Sequence, residues 1–162
     1  MDTSPLTDAD DALLDHATDL NRETFDAEFF DGAHIVAASV RTADGAVYDG
    51  VSLPASIGRA STCAEPGAVS AAIADGHSHD DIEACVAVAY PMPEHDADDA
   101  RPIPPCGVCR ELLADYNPEM RVVVPVDGSH ELSTATEQSD AGDGDGALRT
   151  VRAEALLPIR PW

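Results

Sequence analysis

Two short stretches of this chain carry residues whose types and spacing suit metal chemistry: Thr62-Cys63-Ala64-Glu65 and Pro104-Pro105-Cys106-Gly107-Val108-Cys109-Arg110. Cys106 and Cys109 stand one helical turn apart and can clasp one ion together, while Cys63 comes from a separate segment. Each stretch sets a cysteine where a helix is expected to begin. There the unpaired backbone N–H groups and the positive end of the helix dipole favour thiolate over thiol. Three thiolates suit one Zn²⁺ per chain, and three protein ligands leave the fourth tetrahedral position for water, as in catalytic rather than structural zinc sites. Glu65 falls beside that open position without being a ligand, and is the candidate to move the proton of a zinc-acidified water. The remaining cysteine, Cys85, lies in an apolar run and is read as core packing.

The elements that must position these residues follow from periodicity and punctuation. Leu13, Leu14, Ala17 and Leu20 recur at helical spacing behind Thr7 and Asp8, which predicts a first helix over 7–22. His34 to Arg41 and Ala46 to Ser52 read as two strands of a hairpin turning at Asp44-Gly45. Cys63 to Gly76 is alanine-rich and ends on glycine, a second helix with Pro66 in its first turn, where the missing N–H costs nothing. Ile82 to Tyr90 has the continuous apolar character of a strand buried on both faces. A proline-rich loop over 91–105 leads to a short helix from Cys106 to Tyr116, a strand from Arg121 to Val126, and a last short helix from Val151 to Leu157. Thr136 to Gly146 contains no core-forming residue, so an acidic flexible insertion is expected over about 136–148. The order predicts a mixed sheet covered by helices, in one α/β domain spanning 1–162.

Charge narrows the partners. Acidic residues outnumber basic ones 31 to 9, the net charge is −22, and every basic residue is arginine. Neutralising phosphates needs clustered Lys or Arg, so a nucleic-acid polymer is excluded as partner and a small molecule is expected. Such self-repulsion is screened at molar salt, where the Debye length is about 3 Å, which points to a high-salt cytoplasm. No apolar run is long enough to span a bilayer, and the N-terminus lacks the pattern of a signal peptide. A cytoplasmic location keeps the cysteines reduced and available to metal.

The pattern Cys63-Ala-Glu65 followed by Pro105-Cys106-Gly-Val-Cys109 resembles the signature of the zinc-dependent nucleobase deaminases. The chain is similar, from about His34 to Pro158, to the small three-cysteine cytidine deaminases and, in local wording, to the blasticidin-S deaminases. The likeness is carried by His34-Ile-Val-Ala-Ala38, Ile57-Gly-Arg59, Cys109-Arg-Glu-Leu-Leu-Ala-Asp-Tyr116 and Leu156-Leu-Pro158. It implies a three-layer α/β/α fold with a mixed central sheet and a homotetramer whose neighbouring chains complete each pocket. It further implies zinc on Cys63, Cys106 and Cys109, Glu65 as proton shuttle between water, ring N3 and the departing ammonia, and backbone groups at Ala64 and Pro105 against the base. The implied reaction converts cytidine, deoxycytidine or a cytosine nucleoside analogue, blasticidin S among them, to its uracil form.

The departures bear on substrate and charge. Ser52 and Pro54 stand where cytidine deaminases place an Asn and a Glu for the ribose hydroxyls; Ser52, and His34 opening the strand that the family places near the pocket, are the candidate substrate contacts. Pro66 stands where many members carry an arginine beside the thiolates, which leaves Arg110 or Arg59 to offset their charge. Trp162 is a candidate stacking residue. A reading from another class, a non-catalytic zinc-stabilised binding domain, explains the cysteines but gives Glu65 no task.

Overall fold

A computed structural model describes residues 1–92, 99–126 and 147–159. The expected acidic insertion, apart from its last two residues, and Trp162 lie outside the described residues. The described chain forms helices α1 (Asp8–Thr24), α2 (Ala64–Ala74) and α3 (Gly107–Tyr116). Six strands accompany them: β1 (Val36–Thr42), β2 (Val47–Val51), β3 (Ile82–Ala89), β4 (Arg101–Pro102), β5 (Arg121–Pro125) and β6 (Leu148–Arg152). They make one mixed sheet in the order β2-β1-β3-β5-β6, with β4 paired to the end of β3. Among the described strands only β3 and β5 run parallel, the pairing that a crossover through α3 requires.

The helices take opposite faces because β3 is apolar on both. Ala84, Val86 and Val88 face Leu13 and Ala17 of α1. Cys85 faces the other way, into a core with Ala68, Val69 and Ala72 of α2 and Leu113 and Ala114 of α3. The result is the expected three-layer α/β/α sandwich, with Cys85 in its core.

Two elements depart from the pattern reading. The segment expected as a final helix over 151–157 is instead β6, antiparallel to β5, followed by a single 3₁₀ turn at Ala153–Leu156. Val151 packs inward from the strand, and the backbone groups of Ser4 and Thr150 pair on its outer edge. The proline-rich loop contains β4, where Pro102 is tolerated because it lies at a sheet margin and Ile103 supplies the N–H to Ala87 O at 2.9 Å.

Helix α2 lies unusually close to β2. A Cβ on Gly50 would come within 2.2 Å of Ala64 O and 2.5 Å of Ala68 N, and one on Gly67 would meet Gly50 Cα at 3.3 Å. Two facing glycines thus let the helix backbone rest on the strand backbone, which fixes the depth of the first turn of α2.

Candidate metal centre and adjoining cleft

The two helices that carry the cysteine motifs bring their N-termini together. Cys63 is the N-cap of α2 and Cys106 the N-cap of α3, both in extended conformation, and the Cys63 side chain makes no capping hydrogen bond. The Sγ atoms of Cys63 and Cys106 are 3.5 Å apart, and those of Cys63, Cys106 and Cys109 all lie within 4.8 Å of one another. Tetrahedral zinc with Zn–S bonds of about 2.3 Å places its sulfurs about 3.8 Å apart, so the donor set matches that ion in type, number and spacing. Cys109 is buried, Cys63 half-buried and Cys106 exposed, which leaves the cluster open on one side.

The thiols are unequal. Burial pushes Cys63 up to about 11, and the same cause raises Cys109 further, with the Glu65 carboxylate adding to it. For Cys106 burial also acts upward, but the backbone N–H groups of Cys109 and Val108 and the neighbouring thiols outweigh it and bring the group below its ordinary value. The start of α3 therefore stabilises a thiolate, as expected of N–H groups that have no carbonyl to bind.

Glu65 sits in the first turn of α2, only 3% exposed. Burial raises its pKa, against the opposing effect of its own backbone N–H and of the Cys109 thiol, which hydrogen-bonds to it. A buried carboxylate in contact with one member of the thiol cluster is thus held ready to take up a proton. Ala64, fully buried, lies between Cys63 and Glu65, and Pro105 is buried just ahead of Cys106.

Arg110 donates from Nε to Pro105 O at 2.9 Å, bracing the turn that enters α3. Arg59 lies exposed in the 3₁₀ turn Gly58–Ala60. Cys85 is not part of the cluster; its thiol is fully buried on β3 and strongly raised by desolvation.

A cleft of about 200 Å³ opens between the start of β1 and the Leu53–Thr62 bridge. His34 and Ser52, the two candidate contacts, both line it, together with Thr62, the residue before Cys63. Ser52 Oγ accepts the Val36 N–H at 3.0 Å. His34 Nδ1 lies 3.0 Å from Thr24 O, and since a carbonyl only accepts, that nitrogen carries the proton. One feature of this wall was not legible in the residue types: Phe30, Asp31 and His34 all adopt left-handed backbone, with φ of 55°, 55° and 56°.

No family model matches the chain. It is 33% identical over 137 residues to a blasticidin-S deaminase of Bacillus cereus, which spans 85% of this chain and 94% of that protein. Among solved structures it resembles a cytidine deaminase from Burkholderia pseudomallei with a TM-score of 0.62 and 26% identity, covering 94% of this chain and 98% of the other. A cytidine deaminase from Bacillus anthracis shares the fold at TM-score 0.62 and 19% identity, over 93% and 88% of the two chains. With this relationship over nearly its whole length, the chain belongs to the cytidine deaminase superfamily.

Proposed function

We propose that the protein is a zinc-dependent hydrolytic deaminase converting cytidine, deoxycytidine or a cytosine nucleoside analogue to the uracil form with release of ammonia. The observation that carries this reading is the cluster of Cys63, Cys106 and Cys109 within 4.8 Å with buried Glu65 against it. Cys63, Cys106 and Cys109 would hold the metal, which when bound would supply a water acidic near neutral pH. Glu65 takes a proton from that water on its carboxylate and delivers it to ring N3. The water oxygen bonds to C4, Glu65 takes the second proton from that oxygen and passes it to N4, and the C4–N4 bond breaks as the C4=O bond forms, so that water and the cytosine base leave as the uracil form and ammonia. Its raised pKa suits a group that must both accept and release a proton. Backbone groups at Ala64 and Pro105 orient the base, with Arg110 steadying the Pro105 carbonyl.

The curated relative favours a second substrate, blasticidin S, within the same chemistry. Work as a homo-oligomer in a high-salt cytoplasm belongs to the same proposal. It is supported by the charge of −22 and by the apolar side chains of Val108 and Ile57, exposed at 74% and 72%.

The test is ammonia release by the zinc-loaded protein in molar KCl from cytidine, deoxycytidine, cytosine and blasticidin S. Wild type should turn over at least one of them, and Glu65→Gln should lose turnover by at least 10²-fold while keeping its zinc. A zinc-loaded Glu65→Gln variant that stays active would overturn the role of Glu65, and no reaction anywhere on the panel would overturn the substrate class.

A further inference from the structure

Sulfurs placed to share one ion also stand close enough to bond to each other. Cys63 Sγ and Cys106 Sγ are 3.5 Å apart. A disulfide brings two sulfurs to about 2.05 Å, so the pair has about 1.5 Å to close, a displacement that rotation about the Cα–Cβ bonds supplies. Both residues are N-caps in extended backbone ahead of their helices, so neither sulfur is tied to a helical turn. Cys109 differs in each respect. It is the third residue of α3, it is buried, and its thiol hydrogen-bonds to Glu65.

Exposure sets which sulfur meets an oxidant first. Cys106 is exposed, Cys63 half-buried and Cys109 buried, while Cys85 is enclosed in the core between the sheet and α2. A site that works on water and a free base must admit both, and hydrogen peroxide is scarcely larger than water. Oxidation of thiols follows access and thiolate character, and a zinc-bound cysteine is a thiolate.

Resting on the reading of the three cysteines as zinc ligands, we propose that Cys63 and Cys106 form a redox-modification site: a hydroperoxide oxidises Cys106, Cys63 closes a disulfide onto it, and the site gives up its zinc. The Cys106 thiolate attacks one peroxide oxygen and the O–O bond breaks. Hydroxide leaves and takes up a proton as water, and Cys106 becomes a sulfenic acid. The Cys63 thiolate then attacks that sulfur, the S–O bond breaks, and the second oxygen departs as water. Two electrons pass from the two sulfurs to one peroxide. Cys109 alone does not retain an ion that takes three protein ligands. A dithiol reverses the step by thiol–disulfide exchange and returns both thiolates to the metal.

The experiment treats the zinc-loaded full chain in molar KCl with graded hydrogen peroxide. Released zinc is read with a colorimetric chelator. In parallel, free thiols are alkylated and the peptides mapped by mass spectrometry without reduction. One zinc should leave for each disulfide formed, the bridge should join Cys63 to Cys106, and Cys85 and Cys109 should be recovered alkylated. Dimedone added with the peroxide should label Cys106, and dithiothreitol with fresh zinc should restore the original stoichiometry. A Cys106–Cys109 bridge as the main product overturns the proposal. So does sulfinic or sulfonic acid at Cys106 without a bridge, or zinc retained while all thiols stay free.

The deaminase reading fails separately. A chain that holds zinc, deaminates nothing on the panel and still loses its zinc with the Cys63–Cys106 bridge would remove the substrate class and keep the redox site. A chain that takes up no zinc would remove the ligand reading and this proposal with it.

Discussion

Among single residues, the cysteines divide by position into two kinds, and the division predicts different outcomes for similar changes. Cys106→Ala should lose zinc, measured as metal per chain after dialysis. Cys85→Ala, on a core strand away from the cluster, should keep full stoichiometry and lose about 1 kcal/mol of stability. This much was legible in the sequence, because the motif spacing and the apolar neighbours of Cys85 are local properties. The anchor at Asp10 was not. Its carboxylate is fully buried, accepts from Thr7 in a capping box, and pairs with Arg121 and, at 3.5 Å, with Arg41, partners far away in the sequence. Burial acts to raise its pKa, but the hydrogen bonds from Arg121 and Thr7 overcome it and hold the group below the ordinary carboxylate value. A depressed native pKa contributes stability that is present above the unfolded value of about 3.9 and is lost as the pH falls through the native one. Asp10→Asn should therefore cost about 3–5 kcal/mol at pH 7, and denaturant titrations should show the deficit narrowing below about pH 4.

For the elements, the decisive contact is glycine on glycine. Because a Cβ at Gly50 would enter the backbone of α2 at Ala64 and Ala68, Gly50→Ala must lift the helix that carries Cys63 and Glu65. The expected cost is on the order of 2–3 kcal/mol, with weakened zinc retention. Gly58→Ala, where a Cβ meets nothing within 4 Å, should be near neutral, and thermal melts of the two variants test the difference. All three helices and four of the six strands could be read from periodicity, since each is long or strongly patterned. The two that could not, β4 and β6, owe their existence to partners: two residues beside the end of β3, and a five-residue segment whose strand character comes from pairing with β5. The left-handed wall at Phe30, Asp31 and His34 escaped for the same reason, being fixed by Asn21, Thr24 and Asp26 and not by its own residue types.

In the whole molecule, charge governs. With 31 acidic residues to 9 basic ones, there are too few arginines to pair the carboxylates one for one, and ion pairs such as Arg22–Asp99 and Arg152–Glu119 are exposed and worth little. Raising KCl from 0.1 to 2 M should increase the melting temperature by several degrees as repulsion is screened, and a flat or falling curve in scanning calorimetry would contradict the argument.

The manner in which the helices begin reaches into the timescale of motion. Helix α1 starts with Thr7 and Asp10 in a reciprocal box, whereas α2 starts on a cysteine that makes no capping hydrogen bond. An end without a cap frays, and fraying admits deuterium. After chelation, first-turn amides of α2 should exchange within seconds to minutes while those of α1 stay protected, so that mass-resolved exchange would register metal occupancy as local breathing of one helix end.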